Sequence, residues 1–147
     1  MTRSVRRARF LVEEAGTAIL EFALIVPLLL VLVWGIIEAG RAFYTLNILT
    51  NALREGARRG AVMQLAVSNQ GVVSMSASQR DSIKLVVRTA FQPLGPALTN
   101  AQIVDNMVVN NNQIQVTANY PYAPIAPVTN WTFTLTRSVT FRYERAP

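Results

Sequence analysis

The chain contains no cysteine and no histidine. Without cysteine it has no disulfide framework, no thiolate nucleophile and no cysteine-based zinc site. Without histidine it has no Ser-His-Asp triad and no imidazole metal ligand. Charge is also scarce, at 15% of residues, with fourteen Lys+Arg against eight Asp+Glu for a net of +6. Residues 17–147 carry ten basic and six acidic side chains, a net of +4, and only Arg54, Arg58 and Arg59 cluster. A nucleic-acid binder needs a concentrated basic face, so these read as solvated helix charge and no nucleic-acid partner is expected. No phosphate-binding G-x-x-x-x-G-K-[ST] occurs, and Asp81 and Asp105 stand isolated rather than in a metal-ligand cluster. Ser82 and Lys84 are two apart and point in different directions on a helix. The expectation is a protein that is not an enzyme and holds no metal or cofactor.

What is abundant is apolar surface, 51% of the 147 residues, too much for a disordered chain. The length fits one domain, or one domain plus an anchor. Residues 17–37 read TAILEFALIVPLLLVLVWGII, with Glu21 as the one ionisable group. At about 1.5 Å per residue a helix of this length spans roughly 30 Å, the thickness of a bilayer core. Arg3, Arg6, Arg7 and Arg9 precede the run, while Arg41 alone follows it until Arg54. The positive-inside rule therefore places residues 1–16 in the cytoplasm and those beyond about 38 outside it, a single-pass arrangement. Pro27 should kink the span by removing one backbone donor.

Helical character continues through residues 38–66, which lack proline. Phe43, Leu46, Leu49, Leu53 and Ala57 recur at three- and four-residue steps, with Ile48 beside Leu49, as an amphipathic helix requires. Glu38 and Arg41, and Glu55 and Arg59, share helical faces. Ala52, Gly56 and Gly60 recur every four residues, either a small-residue groove for close approach of another helix or a place where the helix frays. Residues 67–78 read as a loop, with Ser78 as the cap of a second helix over 79–91. Its apolar set is Ile83, Val86, Val87 and Ala90 with Phe91.

Strand signals follow. Residues 102–109 and 113–122 flank Asn110-Asn111-Asn112, a hairpin turn by composition. Ile114, Val116 and Ala118 alternate with Gln113, Gln115, Thr117 and Asn119, the period of a half-buried strand. Pro121, Pro124 and Pro127 mark a connection. Trp131, Phe133 and Leu135 then alternate with threonines, and Val139, Phe141 and Tyr143 continue the pattern. The fold class expected is α+β: a long N-terminal helix, a second short helix, and a small antiparallel sheet of about three strands. The domains expected are a leader at 1–16, a span at 17–37 on a helix reaching about 66, and an extracytoplasmic head at 67–147.

The constellation Gly16-Thr17-Ala18-Ile19-Leu20-Glu21-Phe22 carries most of the functional information. A carboxylate at mid-bilayer costs about 2.5–3.5 kcal/mol, less near an end. In one reading Glu21 reaches the interface from an uncleaved anchor that displays an extracytoplasmic binding domain. In the other, cleavage between Gly16 and Thr17 creates a cationic amine one helical turn from Glu21. In an axially staggered stack of subunits, Glu21 of one would neutralise the amine of another and fix the register. Glycine before the scissile bond suits close approach of a protease, having no Cβ.

With the apolar run around Pro27, Gly35-Ile36-Ile37-Glu38-Ala39-Gly40-Arg41-Ala42-Phe43-Tyr44 and Asn51-Ala52-Leu53-Arg54-Glu55-Gly56-Ala57-Arg58, these residues resemble the TadE-like (TadE/TadG) pilus-assembly proteins. The resemblance covers about residues 15–62. It implies a minor pilin or pseudopilin of a tight-adherence (Flp-type) pilus system in the bacterial inner membrane or in the pilus itself. It also implies a prepilin peptidase cutting after Gly16, Glu21 with Phe22 at the position needed for processing or assembly, and as partners other pilins, an inner-membrane assembly platform and membrane lipid. Glu-Phe where major Flp pilins usually have Glu-Tyr, and a head of about 100 residues, point to a minor component rather than the bulk subunit.

Overall fold

The computed structural model describes residues 3–67, 73–93, 96–104, 109–110, 113–125 and 132–142. Side chains are described from residue 16 onward, apart from those of residues 67, 73, 109 and 110. The elements are, in order, helix α1 (Arg3–Ala61), strands β1 (Ala66–Val67) and β2 (Val73–Ser74), helix α2 (Ala77–Ala90), a 3-10 turn at Asn100–Gln102, and strands β3 (Val109–Asn110), β4 (Gln113–Tyr122) and β5 (Phe133–Arg142). The chain divides into two compact units, Met1–Gly40 and Arg41–Pro147. An α+β class with a long apolar first helix, a short second helix and an antiparallel sheet is what the periodicities predict.

The N-terminal unit is the first part of α1, which continues across Pro27 without loss of helical assignment. In the second unit, Thr45, Leu49, Ala52, Leu53 and Ala57 form the buried seam of the same helix. Phe43 was expected on this seam but is 66% exposed. Position 43 stands about 120° round the helix from Leu49. Thr45 takes the buried place because its hydroxyl donates to the Arg41 carbonyl at 2.9 Å, which satisfies it locally. The helix ends at Ala61, short of the expected 66. The Met63 amide turns back to the Gly60 carbonyl at 3.2 Å, and Ala66 already pairs with Ser74.

Helix α2 begins two residues earlier than the sequence suggested, and its cap is Ser76 rather than Ser78. Ser76 Oγ accepts from the Gln79 amide at 3.3 Å and Gln79 Oε1 accepts from the Ser76 amide at 2.9 Å. That reciprocal pair is a capping box. The span 67–78, expected as a loop, therefore holds the end of β1, β2 and the start of α2, with 68–72 outside the described residues. Ile83, Val87 and Phe91 are buried against α1 and the sheet, whereas Ala90 is exposed.

Strands β4 and β5 pair antiparallel along ten residues each, from Gln113↔Arg142 to Tyr122↔Phe133. Burial along β4 alternates, with Ile114, Val116, Ala118, Tyr120 and Tyr122 inward. The outer face is polar and internally bonded: Thr117 Oγ1 donates to Ser138 Oγ at 3.0 Å, and Thr136 Oγ1 to Asn119 Oδ1 at 2.8 Å. Of the strand expected over 102–109, the described residues show the last residue of the 3-10 turn, an isolated bridge Ile103↔Ala118, and β3 at 109–110. β3 pairs antiparallel with the start of β4. Residues 105–108, 111–112, 126–131 and 143–147 lie outside the described residues, and with them most of the asparagine turn, Trp131 and Tyr143. Pro121, expected in a connection, sits within β4 opposite Thr134.

Tyr120 closes one side of the core. Its ring meets Phe91 edge to face at 5.0 Å, and its hydroxyl donates to the Pro96 carbonyl at 2.8 Å. Burial pushes its phenol above the ordinary value, against the opposing pull of Arg41. The folded chain thus holds this proton more tightly than the unfolded chain. The stability it contributes is complete below the unfolded phenol pKa of about 10 and is lost as pH rises through the folded value. Alkaline titration by ultraviolet difference absorbance is expected to show a late tyrosine component that Tyr120→Phe removes. That variant loses about 0.5–1.5 kcal/mol with its hydrogen bond.

Candidate functional site

Residues 16–25 and 27–33 of α1 are all exposed. Leu24 is 80% exposed and Phe22 70%, values foreign to the side chains of a water-soluble core. Among the described residues this is the one helix long and apolar enough to cross a membrane. Its apolar character goes all round, as lipid contact demands and as a helix lying on a protein core does not.

Gly16, Thr17, Glu21 and Phe22 all lie within this helix and are all exposed. Thr17 and Glu21 are four apart, on one helical face. An ideal Cβ at Gly16 would meet nothing within 4 Å, so no packing within the chain requires glycine there. The helix runs on both sides of Gly16, from Arg3, so the Gly16–Thr17 bond lies in helical backbone.

Ala52, Gly56 and Gly60 are buried and the helix does not fray at them. Their groove is filled by the same chain. A methyl on Gly56 would run into Cγ2 of Val87 and lie 3.4 Å from Cγ2 of Ile83. A methyl on Gly60 would meet Cδ1 of Ile83 at 3.0 Å and Ile114 at 3.4 Å. The two glycines differ in what must yield. At Gly60 the tightest neighbour is Cδ1, the far end of the Ile83 side chain, at 3.0 Å. At Gly56 it is Cγ2 of Val87, closer still and fixed to a β-branched carbon with restricted rotamers. Gly→Ala in a helix gains about 1 kcal/mol of propensity, and overpacking costs about 1–3 kcal/mol. Gly56→Ala is therefore expected to be about 1–3 kcal/mol less stable than Gly60→Ala, as read by denaturation of the two full-length variants in the same detergent.

One arrangement had no local sequence signal. The Arg41 guanidinium lies over the Tyr122 ring, 5.7 Å from its centroid, within cation–π range. Tyr122 in turn packs on Phe133 at 5.0 Å. Continuing the period-2 pattern of β4 places Tyr122 on the inner face, but only the fold brings Arg41 to it. The helix charges also pair differently from expectation. Glu55 bonds Arg58 through both carboxylate oxygens, at 2.6 and 3.1 Å, rather than Arg59. The Arg58 hydrogen bonds hold the Glu55 carboxyl below its usual value. Both groups are exposed and the pair leaves Arg54 and Arg59 on the solvated side.

A family model described as TadE-like protein matches residues 16–58. This segment is similar to that family. The TadE-like segment starts at Gly16 and takes in Thr17, Glu21, Phe22, the exposed apolar stretch, Ala52 and Gly56. Gly60, α2 and strands β1 to β5 fall beyond it. No curated protein and no solved structure matches the chain.

Proposed function

We propose that this chain is a minor pilin or pseudopilin of a tight-adherence pilus. In this reading residues 17–37 span the bacterial inner membrane, the N-terminus is cytoplasmic and the head is extracytoplasmic. The observation that carries the reading is the coincidence of the TadE-like match, residues 16–58, with the exposed apolar helix that starts at Gly16. The match supports a role in Tad pilus assembly. The exposed helix supports anchorage in a membrane.

The mechanism is structural rather than catalytic. A prepilin peptidase cuts after Gly16. Because that bond lies in helix, the turn around it must open first, and glycine lowers the cost of opening by about 1 kcal/mol relative to alanine. Thr17 then bears a cationic amine four residues from Glu21, and pairing between staggered subunits neutralises both charges in an apolar environment. The head contacts other pilins and the inner-membrane assembly platform.

The test is the N-terminus and intact mass of the protein from membranes of a host with and without its prepilin peptidase. A chain beginning at Thr17 only when the peptidase is present is the expected result. A chain beginning at Met1 in both hosts would overturn the processing step and leave an uncleaved anchor that displays a binding head.

A further inference from the structure

We infer that the face of the head carrying Arg41 rests in the headgroup layer of the bilayer, with Arg41, Phe43, Tyr44 and Phe133 in contact with lipid. The inference rests on the reading of residues 17–37 as a membrane span.

Three observations lead to it. The first is distance along the chain. Arg41 follows Ile37 by four residues and Tyr44 follows it by seven. At about 1.5 Å per residue these are about 6 and about 10 Å. The headgroup layer on one side of a bilayer is about 5–7 Å thick. Arg41 therefore falls within that layer. The Cα atoms of Phe43 and Tyr44 fall a few ångströms beyond it, and helical side chains tilt back toward the N-terminus, here toward the bilayer.

The second is the kind of residue left uncovered. Phe43 is 66% exposed, Tyr44 46% and Phe133 45%. Among the described residues of the head these are the three exposed aromatic side chains; Phe91, Tyr120 and Tyr122 are buried and Phe141 is half-buried. Exposed large aliphatic side chains occur at Val62, Leu85 and Ile125. Aromatic side chains are enriched where a membrane meets water, and scattered single aliphatics need no partner.

The third is how Phe133 comes to this level. It lies at the start of β5, far from Arg41 in sequence. The buried Tyr122 ring lies under the Arg41 guanidinium and also packs against Phe133. Tyr122 thus ties Phe133 to the Arg41 end of the head. A cation with aromatic side chains at the same level suits lipid phosphate with the upper acyl chain beside it.

Because the chain has no cysteine, single-cysteine variants of the full-length protein carry one spin label each. The variants are Phe43→Cys and Phe133→Cys, with Val31→Cys in the span and Thr140→Cys on the outer face of the sheet. The vesicles are phosphatidylethanolamine with phosphatidylglycerol. The readouts are collision with oxygen, which concentrates in lipid, and with a nickel chelate, which stays in water. Labels at 43 and 133 are expected to show several-fold lower nickel accessibility than the label at 140, with higher oxygen accessibility. The label at 31 should lie deeper still.

If the label at 31 is deep while the label at 133 matches 140, the head stands clear of the lipid and this inference fails while the span reading stands. Low accessibility to both agents at 133, or dipolar broadening between labels of two copies, would show protein covering the patch and overturn it as well. A label at 31 open to nickel would overturn the span reading and this inference with it. Phe43→Cys removes no buried side chain, so it reports even if Phe133→Cys disturbs the sheet.

Discussion

Glu21→Gln is expected to leave the protein in the membrane and to remove it from the pilus. Glu21 sits one turn inside the apolar run and is exposed. Glutamine has nearly the same shape and no charge. The cost of a carboxylate in hydrocarbon, up to about 2.5–3.5 kcal/mol at the centre and less near an end, disappears, so retention in the membrane is at least as good. In the proposed reading, what is lost is the partner for a neighbouring subunit's Thr17 amine. Breaking one side of a buried ion pair costs about 3–5 kcal/mol, because the remaining charge is stranded. Since each 1.4 kcal/mol is tenfold, association with other pilins should fall by about 100-fold or more. The measurement is recovery of the variant with sheared pili and with membrane-embedded pilins after cross-linking, beside its level in total membranes. Glu21→Asp keeps the charge on a shorter arm and should recover part of the association. A glutamine variant recovered with pilins at the normal level would mean that Glu21 only reaches the interface of a simple anchor.

The long apolar helix and the sheet were legible in the sequence for different reasons. Residues 17–37 need no tertiary information, since length and apolarity together exceed what a small core buries. Strand β4 was legible because one face is core and the other solvent, which imposes period 2 on Ile114 through Ala118. Legibility failed where the choice was between near-equal local options. Ser76 and Ser78 both offer a hydroxyl at a helix start, and Gln79 decides between them by standing three residues after Ser76. At the start of the strand expected over 102–109 a 3-10 turn forms instead, with the Ile103 amide bonded to the Asn100 carbonyl at 3.2 Å. The seam of α1 was read through Phe43 because phenylalanine is the more apolar residue, yet helix geometry and the self-satisfied hydroxyl of Thr45 choose otherwise.

The candidate site residues divide in the same way. Gly16, Thr17, Glu21 and Phe22 stand out in sequence because a basic segment, a small-residue junction and a carboxylate in an apolar run are contiguous. Spacing alone revealed the groove of Ala52, Gly56 and Gly60 but not its occupant, which depends on where α2 returns. Arg41 over Tyr122 had no signature, since cation and ring come from opposite ends of the head unit.

Ile83→Ala is expected to be the most damaging single truncation in the head. Ile83 is fully buried and faces both glycines: its Cγ2 lies 3.4 Å from an ideal Cβ at Gly56, and its Cδ1 3.0 Å from one at Gly60. It therefore fills the space that two missing side chains leave in α1. Truncating it leaves a void lined by helix backbone, which cannot collapse as side chains do. Isoleucine to alanine in a core costs about 2–5 kcal/mol, a large part of the roughly 5–15 kcal/mol that holds a domain folded. Amide hydrogen exchange of β4 in the full-length protein should speed up by about 30-fold or more. Ile83→Val, which removes one methyl, should cost about 0.5–1.5 kcal/mol. Adding Gly60→Ala to Ile83→Ala places a methyl at the edge of the space Cδ1 leaves and removes the clash between them, so the pair should be more stable than the sum of the single changes, by about 0.5–3 kcal/mol. If Ile83→Ala instead costs less than about 1 kcal/mol, below the range for a packed core, the glycines are not shaped for α2. Their spacing would then serve a helix from another subunit, and the groove would belong with Thr17 and Glu21 among the assembly contacts.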